Sequence, residues 1–306
     1  MVAEYPLPLV SIIVPSYNMS APLKDALDSI LDQTYVLWEC IVVDDGSRDD
    51  TYEVVTAYAV GDHRIRYIAH EVSQGPSAAR NTGIHACEGE FVAFLDADDI
   101  WVEQKLERQV ASLMQNENAV MSCTYFEEVD ANLALSLSWD NIRMRNKYPD
   151  TITPESLIET FSECRVPGSA SAALVQRDCL NRVGLFDSDL RLGEDLELWY
   201  RIALYADIII VPEVLVRIRR YPKEVNLERV LVDLGAMVRK LKSIAPHEHQ
   251  VLIARSNFDL HWGVAVESLR RGQLALSCNT FFEIIIETPL RTLSTLTRKT
   301  IRWMRK

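Results

Sequence analysis

No phosphate-binding loop of the form GxxxxGK[ST] occurs in these 306 residues, and no GxGxxG follows the first apolar run. Classical ATPase and NAD-binding readings are therefore weak. Cations are also scarce. Lys and Arg number 32 against 44 Asp and Glu, a net charge of −12, which argues against general nucleic-acid binding through phosphates. Six cysteines, at positions 40, 87, 123, 164, 179 and 278, form no CxxC pair. They read as reduced, buried thiols of a cytosolic protein. The longest apolar runs, such as ADIIIVPEVLV, are far too short to span a bilayer. The opening MVAEYPLPLV carries an acid and two prolines without a basic leader, so it is not read as a signal peptide.

What remains is an ordinary globular composition, 48% hydrophobic and 25% charged. LVSIIVPSYN (9–18) and WECIVVDDGS (38–47) have continuous rather than alternating apolar runs, the pattern of buried parallel strands. IRYIAH (65–70), FVAFLD (91–96) and AVMSCTYFEEVD (119–130) continue the series. Helices are expected between them. One is capped by Ser20, with Leu23, Ala26, Leu27, Ile30 and Leu31 on its apolar face. A second starts with an Asp50/Glu53 capping box. Two more cover 77–89, stopped by Gly89, and the stretch from Trp101 to Gln115. Such alternation predicts an α/β sheet with helices on both faces. Ligands then bind beyond the carboxyl ends of the strands, so Pro15–Asn18, Asp44–Ser47 and Asp96–Asp99 should line one edge.

Further on, 131–165 is polar and irregular, with a short helix expected after Thr153. A strand and helix follow in SASAALVQRDCLNRVG. The stretch 193–206 reads as a helix, and IIIVPEVLVRIRRY as a strand pair or one bent strand. From Asn226 the chain reads as helices over 226–243, 247–271, 273–287 and 289–306. The expected division is 1–223 and 224–306.

FVAFLDADDIW (91–101) poses the chemical question: a segment built for burial ends in Asp96, Asp98 and Asp99. With Asp44 and Asp45, five carboxylates would share one sheet edge, and their repulsion calls for a cation or hydrogen-bond donors. Mg2+ and Mn2+ favour oxygen ligands, often one or two carboxylates plus substrate phosphates. GPSAARNTGI (75–84) supplies Arg80 and a helix N-terminus, both suited to anions. The plainer alternative is that Asp98 or Asp99 N-caps a helix beginning near Trp101.

VSIIVPSYN, IVVDDGSRDDT, GPSAARNTGI, FVAFLDADD and LGEDLELWYRI, in this order over roughly residues 9–220, resemble glycosyltransferase family 2. The resemblance implies a GT-A fold: a Rossmann-like, mostly parallel sheet flanked by helices, here with a helical C-terminal extension. It implies inverting transfer of a sugar from a nucleotide sugar, usually a UDP-sugar, to a hydroxyl of a glycan or lipid-linked acceptor. Carried over by motif, Pro15, Ser16 and Tyr17 lie along the nucleotide. Asp45, or Asp44 in its place, accepts the uracil N3–H. Arg80 lies near the diphosphate or donor sugar, and Asp96 near the ribose or sugar. Asp98 is the metal ligand for Mn2+ or Mg2+, and Asp99 shares that role or caps the helix. Asp195 is the base, with Glu194 as its acceptor-side neighbour. The plainer reading of both is favourable charge in the first turn of a helix.

Relatives often carry a His after the strand that follows the base helix; here VRIRRYPKEVN has none, leaving Arg217, Arg219 or Arg220 to neutralise phosphate or stand as exposed strand residues. A Q-x-x-R-W motif is absent too, which points to single addition. The alternatives are a nucleotidyltransferase, disfavoured by the loop PSYNMSAPLKD, and a non-catalytic sugar-nucleotide-binding scaffold. PLRTLSTLTRKTIRWMRK has six basic residues and no acid. On a helical wheel 289–306 is a basic amphipathic helix, suited to an anionic membrane surface or to docking on the protein. The expected location is cytoplasmic, at the inner face of the cell membrane.

Overall fold

The computed structural model describes residues 7–135, 151–161, 169–221, 226–273, 276–277 and 279–280. The chain runs β1 (Val10–Ser16), α1 (Ser20–Leu31), β2 (Trp38–Asp44), α2 (Thr51–Gly61), β3 (Ile65–Ala69), α3 (Pro76–Ala86), β4 (Phe91–Phe94), β5 (Ile100–Trp101), α4 (Lys105–Gln115) and β6 (Ala119–Val129). It continues with β7 (Thr151–Ile152), α5 (Pro154–Phe161), β8 (Ala173–Gln176), α6 (Arg177–Val183), α7 (Glu194–Tyr205), β9 (Asp207–Arg219), α8 (Leu227–Ile244) and α9 (Gln250–Arg270). The expected helices over 273–287 and 289–306 fall largely outside the described residues, as does most of 131–165.

The strands form one sheet in the order β3-β2-β1-β4-β8-β6-β9-β5, with β7 also on β9. β1, β2, β3 and β4 are mutually parallel. Ser16 lies opposite Asp44, and Asp44 opposite Ala69, so the ends of three strands share an edge. β8 runs against β4 and β6, whereas β9 is parallel to β6. This is the Rossmann-like, mostly parallel sheet of a GT-A fold. Continuous burial along β1 and β2 explains their unbroken apolar runs.

The chain divides into two compact units. One, Met1–Leu157 with Val166–Lys223, holds the sheet; the other joins Ile158–Arg165 to Glu224–Lys306. In the second, Asn226 caps α8 by accepting from the Arg229 amide, and Ser256 on α9 donates to the Ile158 carbonyl. No helix among the described residues is long and apolar enough to cross a membrane.

Several helix ends differ from expectation; α3 ends at Ala86, with Cys87 as its C-cap, rather than at Gly89. The Asp50/Glu53 box does not form: Asp50, the N-cap residue of α2, makes no side-chain cap bond. Asp49 accepts from the Thr51 amide and hydroxyl, and from the Ser20 amide that opens α1. One carboxylate thus serves two helix starts, and Ser20 receives a cap rather than giving one. The helix expected from Trp101 begins at Lys105, after Gln104. Ile100 and Trp101 instead pair antiparallel with Arg217 and Val216 of β9, and this sheet pairing overrides local helix preference. Asp98 and Asp99 therefore do not stand at the start of a helix. Of the two readings of IIIVPEVLVRIRRY, the one bent strand holds: it is the single β9, whose register on β6 shifts between Thr124 and Phe126.

Gly83 is where α3 meets the sheet: a Cβ there would stand 2.4 Å from Ile13 Cγ2, in the fully buried centre of β1. Gly83→Ala should gain about 1 kcal/mol of helix propensity but lose more to overpacking, typically about 1–3 kcal/mol. Urea unfolding should show a net loss, whereas Gly61→Ala, with open space around it, should be neutral or slightly stabilising. A stabilised Gly83→Ala would refute this account of the close approach.

Candidate active site

The turn after β1 and the turn after β2 hold each other. Asn18, at φ 51°, accepts from the Arg48 amide, and its own amide donates to the Ser47 hydroxyl. The Asp45 amide donates to the Ser16 carbonyl. Gly46, at φ +79°, brings this turn against the next loop, where a Cβ would sit 3.0 Å from the Ser73 nitrogen. Asp44 and Asp45, both buried, then part company. Asp44 accepts from the Ser47 amide and the Tyr67 hydroxyl. Asp45 accepts from His70 Nδ1, the Ser73 hydroxyl and the amides of Gln74 and Gly75. Burial alone would raise the Asp45 carboxyl; the bonds from Gln74, Ser73, His70 and Gly75 outweigh it and hold it below its ordinary range.

Arg80, on α3, is 4% exposed. Its Nη2 donates to Asp96 Oδ1 at 2.7 Å and its Nη1 to Glu194 Oε1 at 2.9 Å. The guanidinium lies 5.3 Å from the centre of the Phe186 ring. One cation therefore joins the turn after β4 to the first turn of α7, elements 114 residues apart along the chain. Asp195, next along α7, accepts from the Leu196 amide. Burial, followed by the Glu194 charge, pushes its carboxyl up to about 7, with Arg80 acting in the opposite direction.

Motif reasoning missed the groups that place α7. The Asn81 side chain donates to the Phe186 carbonyl and accepts from the Phe186 amide. Glu197, fully buried, pairs with Arg201, which also donates to the carbonyls of Val183 and Leu185. The sequence signals were present: Asn81 follows Arg80 directly, and Glu197–Arg201 has helical i,i+4 spacing.

A cleft of about 380 Å³ opens at the strand ends, lined by Pro15, Ser16, Tyr17, Asp45, Arg80, Asp96 and Asp98, with Met19, Ser73, Gly75, Pro76, Ala79 and Ala97. Four proposed site residues do not line it. Asp44 faces Tyr67; Glu194 is tied to Arg80, which lines the cleft, and Asp195 senses the Arg80 charge. Asp99, 3% exposed, accepts from the Ser171 hydroxyl and the Arg219 amide. Burial, with the charges of Asp96 and Asp98, pushes its carboxyl well above the usual range. The arginines of β9 and its end are taken by acids as well: Arg217 by Glu127, Arg219 by Asp25 and Arg220 by Glu128.

Among the described residues no three His, Cys, Asp or Glu side chains are grouped to hold a metal ion. Asp96 and Asp98 nevertheless face the same cleft. One or two carboxylates completed by phosphate oxygens and water is the usual donor set for Mg2+, so these residues fit a metal that arrives with a diphosphate.

The raised Asp195 carboxyl has a consequence for stability. Its pKa is about 7 in the fold against about 3.9 in an unfolded chain. It holds its proton more tightly when folded, so its contribution to stability is lost as pH rises from about 4 through 7. Asp195→Asn should therefore raise Tm at pH 8, by about 2–4 °C for each kcal/mol recovered, and the gain should vanish near pH 4. Scanning calorimetry showing a lower Tm at pH 8 would contradict this.

Residues 11–165, just over half of the chain, match the family model for glycosyl transferase family 2. An Escherichia coli UDP-Glc:alpha-D-GlcNAc-diphosphoundecaprenol beta-1,3-glucosyltransferase, WfgD, is 42% identical over 38% of this chain and 46% of its own length. The chain spans less than half the length of the first curated relatives it matches. An uncharacterized glycosyltransferase of Rickettsia prowazekii, RP339, is 28% identical over 98% of this chain and 97% of that protein. The structure of S. aureus TarS 1-349 in complex with UDP-GlcNAc superposes with a TM-score of 0.66, at 20% identity, covering 92% of this chain and 82% of that one. On the family match and the shared sheet, the chain belongs to glycosyltransferase family 2 and has the GT-A fold.

Proposed function

We propose that this protein transfers a sugar from a nucleotide sugar, a UDP-sugar, to a hydroxyl of a glycan or lipid-linked acceptor in surface polysaccharide or glycoconjugate biosynthesis, inverting the anomeric centre. The observation that carries the reading is the Arg80 bridge. It sets the acids of the cleft, Asp96 and Asp98, beside the helix that bears Asp195. In this reading residues 1–223 form the nucleotide-sugar-binding and catalytic domain, and 224–306 a helical extension.

Pro15, Ser16 and Tyr17 run along the nucleotide. Asp45 faces the base. A carboxylate has about four lone-pair sites, and the loop donors already use them, so accepting an imide N–H requires Asp45 to release one. Asp98, with Asp96, would hold Mn2+ or Mg2+, which as a Lewis acid supplies stabilisation for charge leaving on the diphosphate. Asp195 takes the proton of the acceptor hydroxyl. As that proton leaves, the acceptor oxygen bonds to the anomeric carbon and the carbon–phosphate-oxygen bond breaks, its electron pair departing with the nucleoside diphosphate. Attack opposite the leaving group inverts the centre, through an oxocarbenium-like transition state as in glycoside hydrolysis. A base whose pKa lies near the working pH suits this task. Arg80 stabilises the ionised form of Asp195 and keeps Asp96 and Glu194 from repelling each other.

UDP binding by calorimetry should tighten with Mn2+; tight but metal-indifferent binding would count against the metal reading. A screen of UDP-, GDP- and dTDP-sugars identifies the donor. Asp195→Asn should cut turnover by about 10²–10⁴-fold while leaving UDP affinity within about twofold. In the wild type kcat/KM should fall tenfold per pH unit below about 7, and this limb should move up in Arg80→Gln. Turnover that survives in Asp195→Asn sinks the assignment.

We also propose peripheral contact of 289–306 with the inner face of the cell membrane, on the sequence pattern alone, since that stretch lies outside the described residues. Sedimentation with anionic phosphatidylglycerol vesicles should carry the protein down. Arg298→Ala, Arg302→Ala and Arg305→Ala together should abolish this. Equal sedimentation of both proteins would refute a basic membrane contact.

A further inference from the structure

The turn that carries Asp96 and Asp98 is anchored from outside its own strand. Ser171, in the tight turn Ala170–Ala172 ahead of β8, is fully buried. Its hydroxyl donates to Asp99 Oδ2 at 2.5 Å and accepts from the Asp96 amide at 3.1 Å. The Asp99 amide donates to the Asp96 carbonyl, which closes the turn. The backbone carbonyl of Ser171 accepts from the Trp101 indole at 2.8 Å. The other Asp99 oxygen accepts from the Arg219 amide at 3.1 Å. A ring of hydrogen bonds thus runs from Asp96 through Ser171 to Asp99 and back, with Asp98 held between its two acids.

We propose that Ser171 is a positioning residue for this turn and that Asp99 is its partner in that task rather than a metal ligand. The proposal rests on the reading of Asp96 and Asp98 as the seat of a metal–diphosphate complex. Both Asp99 oxygens are engaged by protein donors, and the side chain is absent from the cleft lining. A cation bound there would have to reach a side chain only 3% exposed and compete with two buried hydrogen bonds. Ser171 has one O–H to give and gives it to Asp99, while its lone pairs take the Asp96 amide. Removing the hydroxyl leaves both groups short of a partner and frees the turn to drift. A displacement of about 1 Å is enough to disable a site that depends on geometry.

The test is UDP calorimetry with and without Mn2+ on the full chain. In the wild type Mn2+ should tighten UDP. In Ser171→Ala that enhancement should shrink at least about tenfold, while metal-free UDP affinity stays within about twofold. Ser171→Thr, which keeps the hydroxyl, should restore it. If the alanine variant does not fold, Ser171→Cys, of similar shape but with a weak donor, should show the same loss. A wild type indifferent to Mn2+ overturns the metal reading and this assignment with it. Wild-type enhancement that survives in Ser171→Ala or Ser171→Cys overturns the assignment alone. So does enhancement abolished by Asp99→Asn but untouched at Ser171, which would make Asp99 a ligand.

Discussion

The two halves of the site are joined by one guanidinium. Arg80 is buried, and it donates to Asp96 on one side and Glu194 on the other. Burying a charge is costly unless it is paired and hydrogen-bonded. Here two carboxylates share the burden, and the geometry they fix is what any chemistry in the cleft requires. One set of acids comes from the end of β4 and the other from the start of α7. Without a shared cation, Asp96, Glu194 and Asp195 would repel one another across a poorly solvated gap. The arginine is therefore at once a structural staple and the local reference for the charge state of Asp195.

Acids at the strand ends do two kinds of work. Asp44, Asp45 and Asp49 mostly satisfy backbone amides and hydroxyls of turns, groups that would be costly to leave unpaired near the core. Asp99 does the same for Ser171 and the Arg219 amide. Asp96 and Asp98 remain at the cleft surface. A single carboxylate can serve both purposes: Asp45 lines the cleft while holding the 70–75 loop. Under the proposed function base recognition and loop order would be coupled, because each Asp45 lone pair offered to the base is one that a loop donor gives up.

This division sets what could be read from the sequence. Continuous apolar runs and helical spacing disclosed the parallel half of the sheet, because burial on both faces leaves a mark on every residue. Leu23, Ala26, Leu27 and Ile30 are buried as the spacing implies, while Leu31, the last residue of α1, is 39% exposed. The motifs gave the acids and, through the resemblance, expected roles for Asp96 and Asp98, but left Asp99 between sharing the metal and capping a helix. Which one turns inward depends on Ser171 and Arg219, 72 and 120 residues away. The β5 strand was hidden for the same reason, its pairing partner lying in β9.

Asp195 shows why such long-range anchors are needed. Raising a carboxyl from about 3.9 to about 7 corresponds to something on the order of 4 kcal/mol against the ionised form. The N-terminus of α7 favours acids, but a helix dipole contributes only about 0.3–1 kcal/mol per charge. The dipole alone therefore cannot keep Glu194 and Asp195 where they are once both ionise; the first turn of α7 would fray or swing into solvent. What opposes that lies one turn further on and in the preceding loop. Arg201 ties Glu197 to the Val183 and Leu185 carbonyls, and Asn81 clasps both backbone groups of Phe186. Phe186 in turn packs edge-on to Phe94 of β4 and Trp199 of α7. Each anchor is an ordinary neutral or charge-assisted hydrogen bond or an aromatic contact, worth about 0.5–3 kcal/mol singly. Together they hold the first turn of α7 in place, so a carboxyl with a raised pKa persists there.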